Sequence, residues 1–188
     1  MPVTGQFLRL VQARGSCRHY DAGRPVPREI IESCIEAARL APSACNRQPW
    51  RFIIVDDAAK RRELCDTARL AGIPHPWWDE VPVFVALCAR LDLITHRVAP
   101  AISGIPYYLL DVGIAGEHFV LAATEQGLGT CWIGWFSEKA VRKVLHIPRN
   151  VRVASLISLG YPADEPHAGP SGRVDATDIT AWNAWGAT

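Results

Sequence analysis

The 188-residue sequence predicts an α+β fold, and three observations carry that prediction. Four short apolar runs have strand character: RFIIV (51–55), VPVFVALCA (81–89), TCWI (130–133) and RVASLISLGY (152–161). About five further stretches carry helical spacing. The first two of these precede every strand, so the order is not a regular β-α-β alternation. The length suits one domain with a full core.

Taken in order, TGQFLRLVQAR sets Phe7, Leu10 and Val11 on one helical face, and a turn-rich link, GSCRHYDAGRPVP, follows. PREIIESCIEAARLA is an amphipathic helix opened by Pro27 and ended by Pro42. Ile30, Ile31, Cys34, Ile35 and Ala38 form its inner face. After the strand RFIIV, Asp56 or Asp57 caps a helix through residue 70, with Gly72 as its stop. The loop GIPHPWWDE leads into strand 81–89, and residues 90–106 hold two prolines and no steady period. YYLLDVGIAGEHFVLAATEQ is apolar most of the way round, which predicts a helix buried on several sides and closed by Gly127. Ser137 caps SEKAVRKVLHI, Pro148 closes it, and the last strand follows. The tail from about residue 161 is Gly- and Pro-rich until Asp175, and it needs a surface to pack on.

Composition excludes several classes. Hydrophobic residues are 49% and charged residues 21%, as in a soluble globular protein. The run 81–89 is too short to span a bilayer, and arginines interrupt the N-terminus where a signal peptide needs an apolar core, so a cytoplasmic protein is expected. A net charge of +1 offers no broad basic surface for nucleic acid. Locally, residues 1–51 hold eight Arg against four Asp/Glu, an excess suited to one or two phosphates. The six cysteines include no C-x-x-C, and the six histidines show no zinc spacing, so no metal is expected. Cys34 and Cys88 sit in apolar patterns as buried thiols; Cys45, in a polar loop, is the cysteine open to a catalytic reading.

The glycines of GLGTCWIG close a helix and open a strand, the reverse of a dinucleotide fingerprint. Neither a P-loop nor a G-x-S-x-G elbow is present. In RGSCR (14–18), two guanidinium forks and a hydroxyl converge on a phosphate if the first helix ends near Arg14; ordinary surface arginines at a helix end have the same pattern. The polar stretch APSACNRQPW between a helix and a strand is richer in hydrogen-bonding groups than a connection needs. Trp50, Trp132 and Trp135 flank it and the IG turn, either as core or as walls of a flat heterocycle site.

Together, ARGSCRHYD, ARLAPSACNRQPWRFIIV, GIAGEHFVLAATEQGLGTCWIGWF and GRVD resemble the nitroreductase family of FMN-dependent oxidoreductases, in order from about residue 6 to 178. The resemblance implies a mixed, mainly antiparallel sheet flanked by helices. It also implies an intertwined homodimer of single-domain chains, residues 1–188, whose tails from about residue 161 pack on the partner subunit. Arg14, Ser16 and Arg18 match positions that grip the FMN phosphate and ribityl chain, and Arg173 matches a C-terminal basic residue closing on the same phosphate. Pro42, Ser43, Ala44 and Asn46 match a loop that meets the flavin from the partner subunit, with Gln48 as its buttress. Ile133 and Gly134 match the turn facing flavin N5.

The implied activity passes hydride from NAD(P)H via flavin N5 to a nitroaromatic, quinone or similar small acceptor. Both substrates use one cleft in ping-pong fashion, and no side chain serves as an obligatory acid or base. Other chemistry in the same family (flavin destruction, dehalogenation, substrate dehydrogenation) and a non-enzymatic flavin-binding protein are the alternatives. Gly15 stands where a basic residue is frequent, as does Ser171, so phosphate charge rests on Arg14, Arg18 and Arg173.

Overall fold

The computed structural model describes residues 5–71, 75–91, 104–164 and 172–186. Among them lie α1 (Gln6–Ala13), α2 (Arg28–Arg39), β1 (Trp50–Val55), α3 (Ala58–Ala68), β2 (Val83–Arg90), α4 (Tyr107–Glu125), β3 (Gly129–Ile133), α5 (Glu138–Val144) and β4 (Val151–Gly160). Three 3-10 turns, Ala44–Asn46, Pro76–Glu80 and Ala176–Ile179, punctuate the connections. The strands pair antiparallel throughout in the order β1-β2-β4-β3. One parallel bridge among the described residues joins Ser16 to Thr130 on β3.

β2 and β4 are central, and helices cover both sheet faces. Alternation along β2 divides the core: Phe84, Ala86 and Cys88 join Leu64, Trp78 and Val141 on the face carrying α3 and α5. Val83, Val85, Leu87 and Ala89 join Ile31, Cys34, Phe119 and Val120 on the face carrying α2 and α4. A strand buried on both faces reads as one continuous apolar run, as 81–89 does.

The expected caps are in place. Asp57 accepts from the Lys60 N–H at 2.8 Å, and Ser137 Oγ accepts from the Ala140 N–H at 3.3 Å. α3 ends at Ala68, two residues before the expected end. Arg69 turns extended to bridge Phe136, and the Ser137 N–H takes the Ala68 carbonyl at 2.8 Å. The expected stop at Gly72, and most of 90–106, lie outside the described residues.

Exposure along the first and fourth helices is uneven in the single chain. Phe7 on α1 is 69% exposed, and no α1 residue is fully buried. α4 buries Val112, Ala115, Phe119 and Val120 but leaves Leu109, Leu110 and Ile114 exposed. One protomer therefore covers only part of an apolar helix, and such a patch marks an interaction surface. The tail behaves alike: residues 172–186 are all exposed, Val174, Ile179, Trp182 and Trp185 among them. No described helix is long and apolar enough to cross a membrane.

Cys34 and Cys88 are fully buried, as expected. Burial pushes the thiols of Cys34 and Cys65 up to about 11 and that of Cys88 up to about 12, from 9.0. The folded chain thus holds these thiols protonated where the unfolded chain would ionise them. Their stabilisation is complete below pH 9.0 and is lost as pH rises through about 11 to 12. The melting temperature, followed by circular dichroism, falls steadily from about pH 9 to about pH 12, and Cys88→Ala flattens the slope.

Candidate functional site

The segment after α1 is laid against the sheet edge. Arg14 leaves the helix extended, the Cys17 N–H donates to the Thr130 carbonyl at 2.8 Å, and Ser16 bridges the same residue. Gly129 permits the approach, since a Cβ there would sit 2.6 Å from Cys17 Cβ and Sγ. A cavity of about 360 Å³ opens beside it, lined by Gly15, Ser16, Arg18, His19, Thr124 and Asp164 among others. That volume lies in the range of small-molecule sites. Arg14 Nε stands 3.7 Å from Glu117 Oε1, close enough for ionic attraction but too far for a hydrogen bond, and it is buried with no hydrogen-bond partner among the described residues.

A second group gathers where α3 ends. The Arg69–Phe136 bridge and the Trp135 Nε1–H donating to the Ala71 carbonyl at 3.3 Å tie this end to the turn after β3. That turn contains Gly134. His75 stacks on Trp78 with centroids 5.5 Å apart, and the Arg69 guanidinium lies 5.8 Å from the Trp78 ring centroid. Arg69 Nη2 is 2.8 Å from Asp79 Oδ2, an ion pair by distance whose angle makes no hydrogen bond. Arg69 Nε, His75 Nε2 and Trp78 Nε1 are buried with no partner among the described residues. Burial, then the cations of Arg69 and Arg18, holds His75 below its usual range. Arg18 also acts on Cys131, where burial raises the thiol and Arg18 opposes it. Arg18 lines the cavity, and its charge is felt at this second group.

The polar loop is the third part. Cys45, Asn46 and Gln48 adopt φ of 50°, 52° and 48°, a left-handed conformation costing roughly 1–2 kcal/mol for each non-glycine residue. Hydrogen bonds sustain it. Ser43 Oγ accepts from the Gln48 N–H at 3.0 Å, and Gln48 Nε2 donates to Asn46 Oδ1 at 3.0 Å and to its carbonyl at 3.2 Å. The Ala44 N–H donates to Asp111 Oδ1 at 2.9 Å. Pro42, Asn46 and Gln48 are exposed, while Ser43 and Ala44 are partly covered.

The residues singled out from the sequence thus fall into groups. Ser16 and Arg18 share the cavity, with Arg14 at the helix end beside it. Ile133 ends β3 and Gly134 follows, buried and exposed respectively. Ser43, Ala44, Asn46 and Gln48 form one hydrogen-bonded turn after Pro42, tied to the α4 layer. Trp78 lies in the opposite layer. Arg173 is exposed, donates to the Gly172 carbonyl at 3.0 Å, and does not line the cavity. Trp50 is core; Trp132 and Trp135 are partly open. Sequence reasoning missed Arg69, His75 and Asp111. Asp111 alone carried a signal, as the single acid within the apolar stretch 107–115.

The chain belongs to the nitroreductase family, whose model matches residues 11–161. It is 31% identical over 195 residues to the NADH dehydrogenase of Thermus thermophilus, covering 90% of this chain and 92% of that one. It is 30% identical over 171 residues to the FMN reductase [NAD(P)H] of Bacillus subtilis, covering 85% and 67%. A nitroreductase family protein from Clostridium difficile superposes with a TM-score of 0.82 at 26% identity, covering 96% and 99%. Relatives with other names include the iodotyrosine deiodinase of Thermotoga neapolitana at 27% and the 5,6-dimethylbenzimidazole synthase of Rhodospirillum rubrum at 28%.

Proposed function

We propose that this chain is an FMN-dependent oxidoreductase that draws hydride from NAD(P)H and delivers electrons to a nitroaromatic, quinone or similar small acceptor. It works as a cytoplasmic homodimer of single-domain subunits. The observation that carries the reading is a set of buried donors with no hydrogen-bond partner among the described residues: Arg14 Nε beside the cavity that Arg18 lines, and Arg69 Nε, His75 Nε2 and Trp78 Nε1 where α3 ends. Buried donors without acceptors are rare in folded proteins, because each costs about 1–3 kcal/mol. FMN fits them, since its phosphate and ring carbonyls are acceptors.

When bound, FMN supplies reversible hydride acceptance and return as electrons. The chain's residues bind and orient. Arg14, Ser16, Arg18 and Arg173 hold the phosphate and ribityl chain, and Ile133 and Gly134 face the ring. Pro42, Ser43, Ala44, Asn46 and Gln48 close over it from the partner subunit. Two observations support the dimer: the loop and Trp78 occupy opposite layers of one protomer, and the apolar faces of α4 and the tail lie bare.

The test is a visible spectrum of purified protein, then anaerobic addition of NADH or NADPH. A flavin spectrum that bleaches, with turnover of a nitroaromatic on re-oxidation, is expected. A colourless protein that takes up no added FMN overturns the reading. Bleaching without nitroaromatic or quinone turnover moves the chain toward the chemistry of its differently named relatives.

A further inference from the structure

Asp111 is only 3% exposed, on a helix otherwise apolar at that level. Its Oδ1 accepts the Ala44 N–H, and its Oδ2 is buried with no partner among the described residues. A carboxylate is costly to bury with so few donors, so its place needs a reason. The reason lies across the hydrogen bond. The other described hydrogen bonds of residues 43–48 close within residues 43–51, so they hold the turn's shape but do not fasten it to the fold. The bond to Asp111, 67 residues away, does fasten it.

We propose that Asp111 is a positioning residue: its carboxylate pins the 42–48 loop to α4 through the Ala44 N–H, holding the left-handed turn ready for the flavin. What the loop meets rests on the FMN reading; the pinning is a property of the chain alone. A free turn with three left-handed non-glycine residues would relax toward ordinary backbone and lose the arrangement of its outward side chains. The pin prepays that ordering, which is how preorganisation improves affinity.

Two variants separate the pin from general packing. Asp111→Asn keeps a carbonyl oxygen for the Ala44 N–H, while Asp111→Ala removes the acceptor. Amide hydrogen exchange is measured by mass spectrometry on a peptide spanning residues 41–49 in flavin-free protein, and FMN affinity by fluorescence titration. Asp111→Ala is expected to accelerate exchange in that peptide roughly tenfold or more and to weaken FMN by a similar factor, with exchange elsewhere unchanged. Asp111→Asn stays close to wild type in both.

Equal exchange in wild type and Asp111→Ala overturns the pin, and so does an Asn variant as impaired as the Ala variant. Faster exchange with unchanged FMN affinity overturns the flavin role. If wild type binds no FMN, the function proposed above falls while the exchange measurement still decides the pin. Should Asp111→Ala fail to fold, Ala44→Pro removes the same hydrogen bond from the other side. It acts at the first residue of a 3-10 turn, after an extended Ser43 that accommodates a following proline. It must then reproduce the expected exchange and affinity changes, or the proposal fails.

Discussion

Arg18→Ala yields a protein that leaves purification largely without flavin and without NAD(P)H oxidation. Arg18 borders the cavity beside Ser16, and its charge reaches both His75 and Cys131. A guanidinium pairs with a phosphate through short, charge-assisted, bidentate bonds. Losing one such contact costs about 2–3 kcal/mol, a weakening of roughly 30- to 150-fold in FMN affinity. Activity returns when FMN is added in excess, because in the proposed role Arg18 holds the cofactor and takes no part in the chemistry. Arg9→Ala, on the exposed side of α1, serves as the control and keeps its flavin. Full flavin retention in Arg18→Ala would falsify the phosphate assignment.

Gly116→Val lowers the melting temperature by about 10 °C, the effect of about 3 kcal/mol on a chain of this size. Gly116 faces the sheet from α4. A Cβ there would overlap the ring of Trp132 and lie 2.7 Å from Leu87 Cδ2. Leu87 is fully buried and has nowhere to go. Trp132 can swing outward, but Ile133 and Gly134 follow it directly, so the turn proposed to face the flavin moves as well. The variant accordingly loses FMN affinity together with stability. Trp132→Ala in the same chain restores part of the stability, because the two positions share one contact. An unchanged melting temperature would mean that α4 does not approach β3 this closely.

Much of the fold was legible because its determinants are local. Pro27, Asp57 and Ser137 act on their nearest neighbours, so each boundary they set is written within a few residues; α5, by contrast, ends at Val144, ahead of the expected stop at Pro148. The run 81–89 was legible because β2, a central strand, buries both faces and leaves no polar gap. α3 was misjudged at its end because Arg69 answers to Phe136, far along the chain. What covers the Leu110 face of α4 was not legible for a related reason: periodicity reports that a face is apolar, not what covers it.

The site divides in the same way. RGSCR and APSACNRQPW were visible as contiguous groups of unusual composition. Arg69, His75, Trp78 and Asp111 act through neighbours brought in by folding, and a lone Arg or Asp has no local signature. The sequence by itself determined the order of helices and strands, the family, and the two segments that bear cations and free amides. Only the tertiary structure decided that Asp111 meets the N–H of Ala44, 67 positions earlier, that Gly116 makes room for Trp132, and that Arg69, His75 and Trp78 gather where α3 ends. The physical reason is that caps and turns act over a few bonds along the chain. Hydrogen bonds and close packing depend on distance in space, which no reading of spacing supplies.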